Sequence, residues 1–348
     1  FFFKQKTAYE IVDCDWSSDV CSSDLAQGVN LSGQTYVAYL FAHNAGGFGL
    51  TGTDNVISCG SFTTDGSGNA TVNLGYEPQF IIDKPSSTTG NWDCFDVMRG
   101  WVANTSGTNQ KLNPNLANAE VASNYNFVNS TGFSVIGAAT STTYIYIAIR
   151  RGPMKTPTTG TSVYTANNAG SGSSFTAGFP PDMVLSNDRT GSSTANGSRL
   201  VGPSYYLETN TTGAETSRAN AFYWDNATGT FINDIQSFSW VFRRAPGFFD
   251  VVCYTGDGVS GRNITHNLTV SPELVIIKGR NRVDDWVVRS SAFPTHGVNG
   301  IAYLNLSGAA TNAGYSYVPT TTTFQVESNN NQNGSGYTYV AYLFASVA

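Results

Sequence analysis

Apolar positions along this chain fall in short runs set apart by polar, turn-forming stretches, and no segment sustains the 3.6-residue period of an amphipathic helix. The pattern predicts strands joined by surface hairpins. One run occurs twice: Thr35-Tyr36-Val37-Ala38-Tyr39-Leu40-Phe41-Ala42 returns letter for letter as Thr338 to Ala345. A looser copy is Thr143-Tyr144-Ile145-Tyr146-Ile147-Ala148-Ile149, and a weaker one is Phe238-Ser239-Trp240-Val241-Phe242. The strand these copies predict is apolar on both faces, with Tyr36, Ala38 and Leu40 on one side and Val37, Tyr39 and Phe41 on the other. It must therefore be covered twice: either it is central in a sheet packed between layers, or its second face meets the neighbouring module or a neighbouring chain.

Other anchors recur at about the hundred-residue spacing of these copies. An aromatic-Thr pair opens each unit (Phe62-Thr63, Tyr164-Thr165, Tyr254-Thr255), and a proline precedes an apolar strand (Pro78, Pro181, Pro272). Proline can begin a strand but would delete a ladder hydrogen bond inside one. Asn115, Asn210 and Asn305 follow, then Ala119, Ala214 and Ala309, then Phe133, Phe231 and Phe324. About seven short strands per unit exceed a propeller blade and suit a sandwich, so the expected fold is all-β: tandem β-sandwich modules of jelly-roll, concanavalin-like or laminin-G-like type. The expected divisions are a last strand of an upstream module over 26–43, then modules over 44–152, 153–245 and 246–348, the second of them divergent.

Residues 1–25 share no pattern with the repeats and closely resemble translated sequencing-adapter DNA, so they are expected to be an artefact rather than native chain. Setting them aside removes Lys4, Lys6 and five acidic residues, which leaves 16 basic against 19 acidic side chains. That near neutrality argues against a nucleic-acid partner, which calls for a concentrated positive face. No apolar run approaches the roughly 18 residues of a membrane span. Of the remaining cysteines, Cys59, Cys94 and Cys253 do not recur at matching positions and read as small buried residues.

Candidate chemistry is sparse. His43, His266 and His296 occupy non-equivalent positions without partners at metal-ligand spacing, so neither a metal nor a cofactor is expected. The paired carboxylates Asp93 with Asp96 and Asp284 with Asp285 invite comparison with glycoside hydrolases. Asp93 and Asp96 point to opposite sides of an extended strand, however, which suits one solvent group and one structural group. Trp92 and Trp286 could stack on sugars, but each enters an apolar strand after a polar loop, as a core anchor would. Arg99 and Glu120 are both replaced in the third module, which predicts a partly buried ion pair in the first; the second keeps Glu215, with Arg199 as its expected partner. No catalytic, cofactor-binding or metal-binding residue is assigned, and the chain is expected not to be an enzyme.

The order of elements, Phe62-Thr63 with Gly66, Pro78 with Phe80-Ile81-Ile82, Asn91-Trp92 with Asp96 and Arg99, Asn115 with Ala119-Glu120, Thr131-Gly132-Phe133, and Thr143-Tyr144-Ile145-Tyr146, resembles a repeat module of tailed-phage structural proteins, common in marine metagenomes. The resemblance covers essentially residues 44–348. It implies a virion component of tail-fibre or surface-appendage type, with other virion proteins, further copies of itself and host-surface glycans as expected partners. The alternative is a secreted bacterial protein that binds or degrades carbohydrate.

Overall fold

The computed structural model describes residues 33, 35, 38–103, 109–167, 174–188, 194–218, 221–224, 229–232 and 237–346; residues 1–25, expected from the sequence to be an artefact, lie outside them. The protein is all-β, as expected, with three short 3-10 turns as the helical elements among the described residues. Among the described residues every strand pairing is antiparallel.

Three tandem sandwiches follow one another. In the first, a six-stranded sheet runs in the order Ile57–Thr63, Thr143–Arg150, Pro78–Pro85, Asp93–Asp96, Asn109–Leu112, Val121–Ser123, opposite a three-stranded sheet made of Ala70–Asn73, Gly132–Val135 and Asn126–Asn129. The third repeats the six-stranded order with Phe249–Thr255, Thr338–Phe344, Leu274–Gly279, Val287–Ser290, Gly300–Tyr303 and Thr311–Asn312, opposite Arg262–Thr265 and Thr323–Val326. The second is reduced to a four-stranded sheet, in the order Tyr164–Asn167, Ser237–Phe242, Met183–Asp188 and Thr194–Ser198, with two smaller sheets.

The repeated string has the double burial its pattern requires. Six of the seven residues of Thr338–Phe344 are buried. Tyr339, Ala341 and Leu343 enter a core with Ile264, Phe324 and Val326, inside the third sandwich. Val340 and Tyr342 enter a second core with Cys253 and Trp286 that also takes in Met183 and Leu200 of the second sandwich and Trp101 and Val128 of the first. Phe242 meets Phe249 at 5.3 Å and Phe344 at 5.9 Å across that junction. The sandwiches therefore share apolar interior. Burying large aromatic side chains such as these stabilises by about 1.5–3 kcal/mol each.

The opening anchors differ between units. Phe62 stacks on Tyr144 at 5.1 Å, and Tyr254 on Tyr339 at 5.2 Å, each pair being directly opposed in its ladder. Tyr164 instead opposes Phe242, at the end of the ladder where Ile57 and Phe249 stand in the other sandwiches. The expected equivalence of Tyr164-Thr165 with Phe62-Thr63 is thus incorrect, because Tyr164 takes the ladder position of Ile57 and Phe249 rather than that of Phe62. In Thr131-Gly132-Phe133, a Cβ on Gly132 would collide with the Val72 carbonyl oxygen, which accounts for glycine there.

The N-terminal copy of the string behaves otherwise. Its described stretch Ala38–Ala42 forms no strand, with Tyr39 72% and Leu40 81% exposed. Pairing to the first sandwich begins only beyond it, where the Asn44 amide donates to the Ile57 carbonyl at 2.9 Å and the Cys59 amide to His43 Nδ1 at 3.0 Å.

Candidate functional site

The densest chemistry in the molecule lies where the three sandwiches meet. Glu77 stands just before the strand Pro78–Pro85, Arg151 just after Thr143–Arg150, Arg244 just after Ser237–Phe242, and Asp250 within Phe249–Thr255. Strand ends converge at this junction, so residues far apart in sequence become neighbours. Arg244 grips both oxygens of Glu77, at 2.6 Å to Oε1 and 2.5 Å to Oε2, while its Nε donates to Asp250 Oδ1 at 2.8 Å. Arg151 reaches Glu77 Oε1 and Asp250 Oδ1, both at 3.4 Å. Asp250 Oδ2 accepts the Asn267 amide at 2.7 Å, and Asp182 of the second sandwich accepts the Arg244 backbone amide at 2.7 Å. The side chains of Glu77, Arg244 and Asp250 are at most 2% exposed.

Two guanidinium groups thus face two carboxylates, and the buried charge closes to zero. Burial by itself would raise the Asp250 carboxyl, but Arg244, Arg151 and the Asn267 amide hold it below the usual carboxylate range. Burial disfavours the Arg244 cation as well, yet Glu77 and Asp250 lift it well above its ordinary value. Arg151 is lowered by burial and by its like-charged neighbour Arg244. Beside the cluster lies a cavity of about 20 Å³, lined by Glu77, Arg150, Arg151, Pro246 and Asn267. That is room for a single water molecule.

A second clasp joins the same bodies. Arg280, with no exposed side-chain surface, donates from Nε and Nη2 to Glu215 at 3.2 Å each and from Nη1 to the Ala103 carbonyl at 2.9 Å. Glu215 belongs to the second sandwich and Ala103 to the first. The expected Arg199 partner of Glu215 is therefore incorrect. Arg199 is turned the other way, donating to the carbonyls of Pro181 and Trp224. Nearby, wholly buried Lys278 donates to the Thr212 carbonyl at 3.1 Å, and burial pushes its ammonium down to about 8.

Arg99 and Glu120 do meet, at 3.1 Å, and are partly exposed. The asparagines spaced at 95 residues also acquire a physical role. Asn115 accepts the Trp92 amide at 3.0 Å and donates to Asn91, and Asn305 accepts the Trp286 amide at 2.9 Å and donates to Asp285. In the second sandwich Thr194, at the position of those tryptophans in the ladder, gives its hydroxyl to Asn210 at 2.8 Å. Asn115 and Asn305 thereby close the loops that lead into their strands.

The paired carboxylates expected from sequence are not brought together. Asp96 accepts the Met98 amide at 2.6 Å and caps the turn Val97–Arg99. Asp93 is buried and accepts from Lys111 at 3.0 Å, from Asn113 and from the Tyr125 hydroxyl. Both are structural, so the solvent role expected for one of them is corrected. The carboxylate opposite Asp93 is Asp83, its direct ladder partner, fully buried and bonded to Asn126 at 3.0 Å. Burial, then the charge of Asp93, pushes the Asp83 carboxyl well above its ordinary value. Sequence carried a signal for it: an aspartate continuing the apolar run Phe80-Ile81-Ile82. Asp284 pairs with Arg282, while Asp285 serves the Asn305 clamp.

Trp286 is wholly buried, lies parallel to Tyr342 at 6.4 Å, and donates its indole N–H to the Glu208 carbonyl of the second sandwich at 3.0 Å; Trp92 is half-buried. His266 lies against Phe324 with Nε2 on the Thr320 carbonyl, and burial lowers its pKa. No group of three metal-ligating side chains occurs among the described residues. Cys59, Cys94 and Cys253 are free thiols, the first two half-buried and Cys253 buried, and burial pushes the last up to about 11.

The fold and its charged seam define a tandem β-sandwich protein in which successive units are locked through their strand ends. The chain belongs to the family described as Domain of unknown function (DUF7483), whose model matches residues 4–153 and 222–348. The unmatched stretch covers most of the reduced second sandwich. No curated protein and no solved structure matches the chain.

Proposed function

We infer that this chain is a non-catalytic structural protein of a tailed-phage virion, part of a tail fibre or surface appendage, whose exposed loops are available to host-surface glycans. The observation that carries the reading is the seam, where Glu77, Arg151, Arg244 and Asp250 tie three sandwiches into one block. Interlocking of this kind suits a load-bearing spacer better than modules that must move independently. The recurring motif supports it as well, because Asn115, Arg99, Gly132 and Tyr144 all serve the fold.

The test is location. Antibodies raised against the recombinant chain should decorate the appendages of purified particles under electron microscopy, and the protein should sediment with them. Recovery solely in the soluble fraction of the culture would overturn the reading. A glycan array then addresses adhesion: signal on bacterial surface sugars supports the loops as adhesive, and a flat response restricts the role to architecture.

A further inference from the structure

The face of the six-stranded sheet that carries Ile81 and Phe95 into the core of the first sandwich also carries three ionisable groups. Asp83 opposes Asp93 in the ladder, and Lys111 on the next strand opposes Phe95. By the same register the third sandwich has Ile277, Val287 and Ile301 in those places, all buried in its core. The fold therefore does not need the charges, and burying them costs solvation that apolar side chains would not lose. Lys111 Nζ lies 3.0 Å from Asp93 Oδ1, with the two side chains 19% and 12% exposed. Asp83 is fully buried with Oδ2 held by Asn126 at 3.0 Å, while its Oδ1 has no hydrogen-bond partner. A buried carboxyl oxygen left unbonded beside an amine and a second carboxylate calls for a use. We propose that Lys111 and Asp93 join in an intramolecular isopeptide bond, with Asp83 as the general acid and base that makes it.

Each atom the reaction needs has a holder. The Lys111 ammonium passes a proton to Asp93 Oδ1, to which it already donates, and the freed Nζ attacks Asp93 Cγ. Tyr125 donates its hydroxyl to Asp93 Oδ2, the oxygen on which negative charge gathers, and its ring lies 5.2 Å from Nζ. Asp83 then gives its proton to the departing Oδ1 and takes one from the nitrogen, so it ends as it began. Its carboxyl is suited to start in the protonated form, since burial and the charge of Asp93 push it well above its ordinary value. A C–N bond forms, a C–O bond breaks, and one ammonium and one carboxylate become one amide and one water, with nothing oxidised or reduced. An amine and a carboxyl held in contact reach an effective concentration on the order of 10⁵–10⁸ M, which offsets their ordinary reluctance to condense. The bond staples Asp93–Asp96 to Asn109–Leu112 and removes the buried charges that the third sandwich lacks.

The test is the mass of the full chain, folded, held until the reading is constant and then denatured. The expected result is a chain lighter than its sequence by one water. A tryptic digest should leave the bond after Lys111 uncut and yield the peptides of Lys111 and Asp93 as one branched product. K111R keeps the charge but has no amine to condense, and should stay at full mass. D83N keeps the shape of the side chain but can neither give nor take the proton, and should fold, by tryptophan fluorescence, yet remain unlinked. Should a variant fail to fold, the mass of the native chain still decides whether the bond exists. A folded native chain at its full sequence mass overturns the proposal, as does a lost water mapped to other residues, a cyclised aspartate included. Closure in D83N at the native rate would overturn the role given to Asp83.

Discussion

Replacing Arg244 by methionine is the sharpest perturbation of the seam. The side chain keeps comparable length but loses two bonds to Glu77, at 2.6 and 2.5 Å, and one to Asp250 at 2.8 Å. Two buried carboxylates would then face Arg151 alone, leaving one buried negative charge uncompensated. Removing one partner of a buried ion pair costs about 3–5 kcal/mol, most of it the penalty on the charge left behind. Adding E77Q restores neutrality between Asp250 and Arg151, so R244M/E77Q should cost less than the sum of the single variants by about 2 kcal/mol. The pH dependence changes sign with the charge. In the native protein Asp250 lies below its unfolded value, so its contribution is present above about pH 4 and is lost as pH falls through the folded pKa. In R244M a carboxyl lies above its unfolded value, the folded state binds the extra proton, and the deficit should narrow between pH 7 and pH 5. Urea unfolding followed by tryptophan fluorescence at both pH values measures this. A loss under about 1 kcal/mol, or strict additivity of the two substitutions, would refute the account of a charge-balanced seam.

Three further outcomes follow from the buried polar groups. Asp83→Asn cannot ionise; because folded Asp83 titrates above its unfolded value, native stability should decline as pH rises above about 4, and the variant should lose that decline in urea titrations from pH 4 to 7. Lys278 titrates at about 8 in the fold, so stability should rise from pH 8 towards 10 as the unfolded-state preference for the proton fades, by about 3 kcal/mol over the full window, and K278M should lack this difference. Asn305→Ala strips the acceptor from the buried Trp286 amide and should cost about 1–3 kcal/mol by denaturant midpoint.

Much of the fold was legible in the sequence because it rests on local pattern. Apolar runs between turn residues marked the strands, and a string apolar on both faces required cover on both sides, which Thr338–Phe344 has. Tryptophan 286 as an anchor and the Arg99–Glu120 pair were also legible, since repeats that lose or keep residues together report contacts within one module. The seam was not legible. Alignment of repeats shows which positions are equivalent, not which positions of different modules touch, and Arg244 lies 167 residues from Glu77. For the same reason Glu215 seemed to need Arg199 from its own module, whereas it takes Arg280 from the next. A signal was present in Arg150-Arg151-Gly152-Pro153 and Arg243-Arg244-Ala245-Pro246: doubled arginines ending two apolar strands, in a chain with only 12% charged residues.

The central claim is that the seam and the shared core make the three sandwiches one unit. Differential scanning calorimetry of the intact chain tests it most directly. The account predicts a single cooperative transition whose calorimetric and van't Hoff enthalpies agree, splitting into separate transitions in R244M. Independent melting of the sandwiches in the native chain would contradict it.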